Sequence, residues 1–328
     1  MSDAGVEIDL QPGNLGNKML QYLAAVKVAD RVGRARVSGI RIPEFGINLP
    51  RDGNRVSLAR LLRYTSKTSA RLDFDAVARN VSERNPDRIV LNIYSSVFEN
   101  LPSLEASRPL FPLKPDAVGY GREFLVINVR AAEILDAVHP EYTVLPMEFY
   151  RDIIDQTRLT PVFLGQVQGQ GRYLDHLKKS FPQAEFIPSR GALHDFSVIA
   201  KSKNIAIAVS TFSWLAGWLS EADRVIMPLS GFMNPLQYPW ADLIPPDDTR
   251  FLFYLFPENH AVKDDRILEA HQALVGTWRR IDPDEALTIK AHSRIAPARP
   301  ASAMSNLLDV WKNRLVAASR TFGPRRRA

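Results

Sequence analysis

Three short stretches of this chain carry residues able to hold an anion. "AVSTFSW" sets Ser210, Thr211 and Ser213 between an apolar run and a Trp-rich helical pattern. "GNLGNKMLQYLAA" places Gly13, Asn14 and Gly16 in a turn that feeds another helical pattern. Both have the form of a strand passing into a helix, where the first N–H groups lack intrahelical partners and the helix dipole adds partial positive charge. "INVRAAEIL" puts Arg130 at the end of an apolar run, with Glu133 three residues on. Ligand groups gather at the carboxyl ends of strands in open α/β sheets, and an Arg there can hold a diphosphate through charge-assisted hydrogen bonds. Each stretch also has a plainer reading: a tight turn, a helix cap that uses one of the hydroxyls, and an Arg130–Glu133 ion pair.

Other chemistries lack their residues. "GNLGNK" matches neither the Walker spacing nor G-x-G-x-x-G. There is no cysteine, the six histidines are scattered, and no metal site or cofactor is expected. A G-x-S-x-G nucleophile elbow is absent. Trp214 and Trp218, at i and i+4, read as core rather than as a ligand platform.

The elements that must position these residues are legible from periodicity. Val6–Leu10 reads as a strand, Gln11–Asn17 as a turn, and Asn17–Val32 as a helix stopped by Gly33; "RARVSGIRI" alternates like a further strand. Helical patterns follow over Val56–Tyr64 and Phe74–Arg84, then the strand "DRIVLNIY". A Pro-rich stretch, Leu101–Gly121, marks a boundary. Beyond it "EFLVINV", "TPVFLGQ", "AEFIP", "NIAIAVS" and "DRVIMPL" read as strands. They alternate with helices at Glu148–Asp155, "GRYLDHLKKSF", "HDFSVIAKS" and "FSWLAGWLSEA". Such alternation predicts a parallel sheet covered on both faces. A helix is expected over Asp264–Val275 and an amphipathic one over Ser302–Ser319 after "RIAPARPAS". The division is an N-terminal unit over 1–115, a C-terminal unit over 116–290, and a linker, terminal helix and basic tail over 291–328.

The chain has 328 residues, 45% hydrophobic and 24% charged, as in globular proteins with a sizeable core. No run approaches the roughly 20 apolar residues of a membrane span. No secretory signal is visible in "MSDAGVEIDL", and with no cysteine the expectation is a cytoplasmic protein. Part of the net charge of +6 lies in the tail "RTFGPRRRA", which offers contact with the inner face of a membrane or stays solvated. No Arg/Lys stripe interleaved with aromatics supports a nucleic-acid partner.

With these stretches in order, the chain resembles the alpha-1,2-fucosyltransferase family and its alpha-1,6- and protein O-fucosyltransferase relatives. "GNLGNKMLQY" corresponds to the family's G-x-L-G-N-Q-x-x-Q-Y, "NVRAAE" to H-x-R-R-G-D, and "STFSWL" to S-T-F-S-W-W, over roughly Gly13 to Pro228. The resemblance implies a GT-B-like α/β fold with two facing Rossmann-like domains and a C-terminal helix crossing back. It implies an inverting, metal-independent glycosyltransferase that moves a sugar from a nucleotide sugar, GDP-fucose by default, to a bacterial glycan or lipid-linked saccharide. Arg130 would neutralise the leaving diphosphate, and Glu133 would activate the acceptor or hold Arg130. Ser210, Thr211 and Ser213 would bind phosphate oxygens, and Asp195 would face the base. Gly13, Asn14 and Gly16 would line the cleft from the other lobe, with Asn128 and Gln166 on the donor side. Asn128 stands where the family has His, Ala131 where it has a second Arg, and Glu133 where it has Asp. A silent relative that binds glycan or nucleotide is the alternative; a pyruvyl-type transferase would need a cationic pattern that is not found. Tyr94, Trp240 and Asp242 are candidates for the acceptor side.

Overall fold

The structure is a computed structural model that describes residues 5–9, 13–33, 36–53 and 56–301. The first half contains β1 (Gly5–Ile8), α1 (Leu15–Arg31), β2 (Val37–Ser38), β3 (Ile40–Ile42), β4 (Ile47–Leu49), β5 (Leu61–Ser69), α2 (Phe74–Arg84), β6 (Arg88–Tyr94) and α3 (Leu104–Ser107). The second half contains β7 (Phe124–Val129), α4 (Met147–Thr157), β8 (Thr160–Gly165), α5 (Arg172–Ser180), β9 (Glu185–Pro188), α6 (Ala192–Lys201) and β10 (Asn204–Ala206). It continues with α7 (Thr211–Trp218), β11 (Arg224–Leu229), β12 (Phe251–Leu255), α8 (Ile267–Leu274), β13 (Arg279–Ile281) and α9 (Pro283–Lys290). None of the described helices is long and apolar enough to cross a membrane.

The fold is α/β with two mainly parallel sheets. One is four-stranded, in the order β2-β1-β6-β5, and all its pairings are parallel. The other is seven-stranded, in the order β13-β12-β11-β10-β7-β8-β9, with only β13 antiparallel to its neighbour. Its six parallel strands are wound outward in both directions from β7 and β10, the nucleotide-binding order of doubly wound sheets. Leu125, Val126 and Ile127 of β7 are fully buried because helices cover both faces of the sheet, which is why the strand is a continuous apolar run.

Two expectations fail, for tertiary reasons. Val56–Tyr64 is not a helix: a 3₁₀ turn at Leu58–Arg60 leads into β5, which pairs in register with β6 from Leu61↔Arg88 to Thr65↔Asn92. Val56, Leu58, Leu61 and Leu62 imitate a helical stripe, but the open flank of β6 takes the segment as a strand. "RARVSGIRI" is broken at Gly39, whose φ is +83° and whose added Cβ would lie 2.3 Å from the Ile8 carbonyl oxygen. β2 therefore continues the parallel sheet while β3 turns away to pair with β4. β12, β13 and α9 lie in a segment whose Pro and aromatic content hid them. The helix expected over Ser302–Ser319 and the basic tail fall outside the described residues. The segment before them does return to the first sheet, with Arg71 N donating to Ala296 O and Ala298 N to Arg71 O.

The two sheets are joined where α1 meets α7. Gly16, in the first turn of α1, lies so close to α7 that a Cβ there would stand 2.5 Å from both Phe212 N and Thr211 Oγ1. Thr211 Oγ1 donates to Asn17 Oδ1 across the seam at 3.1 Å. Behind this contact Phe98 packs edge-on against Trp214 and Trp218, which stack on each other at 5.4 Å and are buried. Gly16→Ala should therefore cost about 1–3 kcal/mol through overpacking. Chemical denaturation checks this, and unchanged stability would show that the seam can give way.

Candidate functional site

β7 and β10 mark the point at which the winding of the seven-stranded sheet reverses, and ligands bind beyond the carboxyl ends of strands at such points. β7 delivers Asn128 and Arg130 there, β8 delivers Gly165 and Gln166, and β10 leads to Ser210 at the start of α7. The start of α1 closes the space from the other unit. The result is a cavity of about 220 Å³. Of the expected site residues, Asn14, Gly16, Asn128, Arg130, Glu133, Gln166, Asp195, Ser210 and Thr211 line it. Gly13 lies in an adjoining cavity of about 560 Å³ that shares Asn14, Arg130 and Glu133 with the first. Ser189, Ala192 and Phe212 also line the first cavity and were not anticipated: the first two come from the β9–α6 connection, whose approach depends on the winding of the sheet.

Ser213 does not reach the cavity. It is fully buried, and its Oγ accepts a hydrogen bond from Ala208 N at 3.0 Å, fixing the turn between β10 and α7. Each hydroxyl of the cluster has a structural bond. Ser210 Oγ caps α7 by accepting from Ser213 N, and Thr211 Oγ1 makes the bond to Asn17. What remains for an anion is the backbone: the N–H groups of Thr211 and Phe212 have no hydrogen-bond partner among the described residues. Those of Leu15 and Gly16, at the start of α1, also have none. Two helix N-termini thus converge on one space, each with unsatisfied donors and the positive end of its dipole.

Arg130 is the cation of this cavity. Its Nε and Nη2 donate to Glu133 Oε1 at 3.0 and 2.7 Å, and its guanidinium lies 5.2 Å from the centre of the Tyr142 ring. Gln166 holds the same turn: its Oε1 accepts from Ala131 N at 2.7 Å and its Nε2 donates to Glu133 Oε2 at 3.3 Å. Partial burial works against the Glu133 carboxylate, but the bonds from Arg130, the backbone and Gln166 outweigh it and hold its pKa below the ordinary value. Ala131 is fully buried and brings no charge to the cavity. Asn128 Nδ2 donates to Leu164 O at 3.2 Å, tying β7 to β8.

On the opposite wall Asp195 stands in the first turn of α6, 6% exposed, and its Oδ1 accepts from Arg190 N at 3.0 Å. Its Oδ2 makes no hydrogen bond to the described residues, which leaves one oxygen for a ligand donor. The acceptor-side candidates separate. Tyr94, at the end of β6, lines the adjoining cavity, whereas exposed Trp240 lines neither. Asp242 is withdrawn altogether: it is buried, with Lys290 Nζ 2.8 Å from its Oδ2, in an ion cluster with Glu99.

No family model matches the chain, and no curated protein matches it. Among solved structures it is similar to a point mutant of FUT1 from Arabidopsis thaliana in complex with GDP, at 10% identity, over 81% of this chain and 74% of that chain, with a TM-score of 0.43.

Two outcomes follow from the geometry. Ser213→Ala should lose about 1–3 kcal/mol of stability, because Ala208 N is left buried without a partner, and should leave anion affinity unchanged. Denaturation and phosphate titration read the two effects separately. Arg130→Ala should raise the Glu133 pKa, because the cation that stabilises the carboxylate is gone. In the wild-type protein the depressed pKa stabilises the fold above the unfolded carboxylate value, and that contribution is lost as pH falls through the lower folded value. Carboxyl NMR titration of both proteins checks the direction; an unmoved Glu133 would mean that Arg130 is not its controlling partner.

Proposed function

We propose that this chain is a nucleotide-sugar-dependent glycosyltransferase. The observation that supports the reading most directly is the convergence of two helix N-termini and Arg130 on one cavity at the reversal point of a doubly wound sheet. In glycosyl transfer an acceptor oxygen forms a bond to the anomeric carbon while the bond from that carbon to the diphosphate breaks. Negative charge therefore grows on the departing phosphate, and donors fixed there beforehand stabilise the transition state. The free N–H groups of Thr211 and Phe212 and the guanidinium of Arg130 fit that role. Asp195, with its unengaged Oδ2, suits a base that carries N–H donors, and guanine with its ring N–H and amino group is the leading choice. GDP-fucose is then the default donor, in keeping with the motif resemblance, and transfer with inversion places the attacking hydroxyl on the side opposite the diphosphate. Glu133, which faces both cavities, is the carboxylate proposed to receive its proton. A glycan or lipid-linked saccharide is the proposed acceptor.

One observation favours a second reading, a binding module without turnover. Arg130 is already paired with Glu133, and that pairing depresses the Glu133 pKa and makes it a weaker base. On the transferase reading the diphosphate must draw Arg130 away from Glu133.

Thermal-shift and calorimetric titration with GDP, UDP, CMP and dTDP, followed by their sugars, separates these readings. The expected result is stabilisation by GDP, with affinity falling roughly 10- to 150-fold in Arg130→Ala as a charged hydrogen-bond partner is lost. Glu133→Gln should keep the nucleotide and lose sugar release or transfer. Nucleotide binding with no turnover in the wild-type protein would favour the binding module. No response to any nucleotide would sink the transferase reading.

A further inference from the structure

The cavity of about 560 Å³ beside the Arg130 cavity differs from it in chemistry. Its walls carry Tyr94, Tyr142 and Tyr238, with His139 at the side, and it meets the first cavity at Asn14, Arg130 and Glu133. Tyr94 ends β6 of the four-stranded sheet, Tyr142 follows the Arg130 turn, and Tyr238 comes from the connection between β11 and β12. Three remote segments thus bring phenol rings to one space between the units.

Two features indicate what these rings face. First, none of the three phenol hydroxyls has a hydrogen-bond partner among the described residues, although each ring is partly buried. Tyrosines that serve only as core commonly find a partner for the hydroxyl, as Tyr173 does with Leu145 O at 3.0 Å. Second, the Tyr142 ring and the backbone that carries Tyr238 are held in place. Tyr142 packs at 4.7 Å against buried Phe232 while Arg130 covers it, and Tyr238 N is tied to Asn234 O at 2.8 Å. Aromatic rings with hydroxyls that have no partner among the described residues, beside the side-chain amides of Asn14 and Asn17, make an amphipathic lining. A pyranose has the matching surface, with C–H patches that lie on a ring face and equatorial hydroxyls that reach the rim. Charge narrows the class: Arg130 and Glu133 neutralise each other, and among the described residues no further Lys, Arg, Asp or Glu lines the cavity.

We propose that this aromatic cavity is the acceptor site and that it takes a neutral saccharide, with Tyr94 and Tyr238 as the residues that select it. The proposal rests on the glycosyltransferase reading for the word acceptor, but the saccharide site stands on its own geometry. The bound ring presents a hydroxyl toward Glu133, the residue common to both cavities.

Saturation-transfer NMR tests the site with four probes: lactose, maltose, a uronic-acid-containing disaccharide and a Ser-containing peptide. Wild type, Tyr94→Ala, Tyr238→Ala and the two Tyr→Phe variants are compared in the presence and absence of GDP. Calorimetry with GDP and melting temperatures report on the folding and donor site of each variant. Transfer to the neutral disaccharides is expected in the wild-type protein, reduced at least fivefold in each Ala variant and less in the Phe variants. GDP affinity should stay within twofold throughout. Saccharide binding without any nucleotide binding would uphold this site and overturn the transferase reading instead. Preference for the acidic or peptide probe, no transfer to either neutral disaccharide, or transfer that persists in the Ala variants would each overturn the proposal. A loss of GDP affinity in folded Tyr94→Ala or Tyr238→Ala would do the same, by making the cavity part of the nucleotide site.

Discussion

Everything that makes a site of this molecule depends on how closely α1 approaches α7. The contact is permitted by the missing side chain of Gly16 and held by the bond from Thr211 to Asn17. Because the approach is made by the first turns of both helices, it aims two sets of unsatisfied N–H groups at the same space. Had the helices met at mid-length, the cleft would be lined by side chains alone. The aromatic packing of Phe98 on Trp214 and Trp218 lies directly behind the seam and fills the space that the glycine contact leaves between the units.

The electrostatics of the cleft are set by economy of charge. Among the described residues one guanidinium lines it, that of Arg130, which is engaged by Glu133 and leans on Tyr142. On the proposed reading an anion would be held largely through backbone donors, which cannot be titrated and need no rearrangement when charge develops. The adjoining space owes its neutrality to the same ion pair. Arg130 and Glu133 therefore divide the cleft into a region suited to a diphosphate and a region suited to an uncharged, hydroxyl-rich partner.

The strand-to-helix turns at Gly13–Gly16 and Ser210–Ser213 were readable because glycines and hydroxyls at an apolar-to-amphipathic junction have a local physical cause. The Arg130–Glu133 pair was readable too, since three residues of separation allow it without knowledge of the rest. The roles within "STFS" were not. Ser213 turned out to serve the turn, and Thr211 the seam, because those assignments depend on which backbone and which neighbouring helix stand opposite. β5 was hidden for a related reason: its leucines suit either a helix or a strand, and only the open flank of β6 decides between them.

By itself the sequence determined the alternation of strands and helices, the α/β class, the positions of the two strand-to-helix turns and the ion pair of Arg130 with Glu133. These follow from periodicity and from backbone requirements that act over a few residues. Only the tertiary structure decided the winding order of the large sheet, the meeting of the two helix N-termini, the withdrawal of Asp242 into an ion cluster with Lys290, and the gathering of Tyr94, Tyr142 and Tyr238 in one cavity. Those features join residues from remote parts of the chain. No local pattern records them, because they are fixed by which surfaces can pack together.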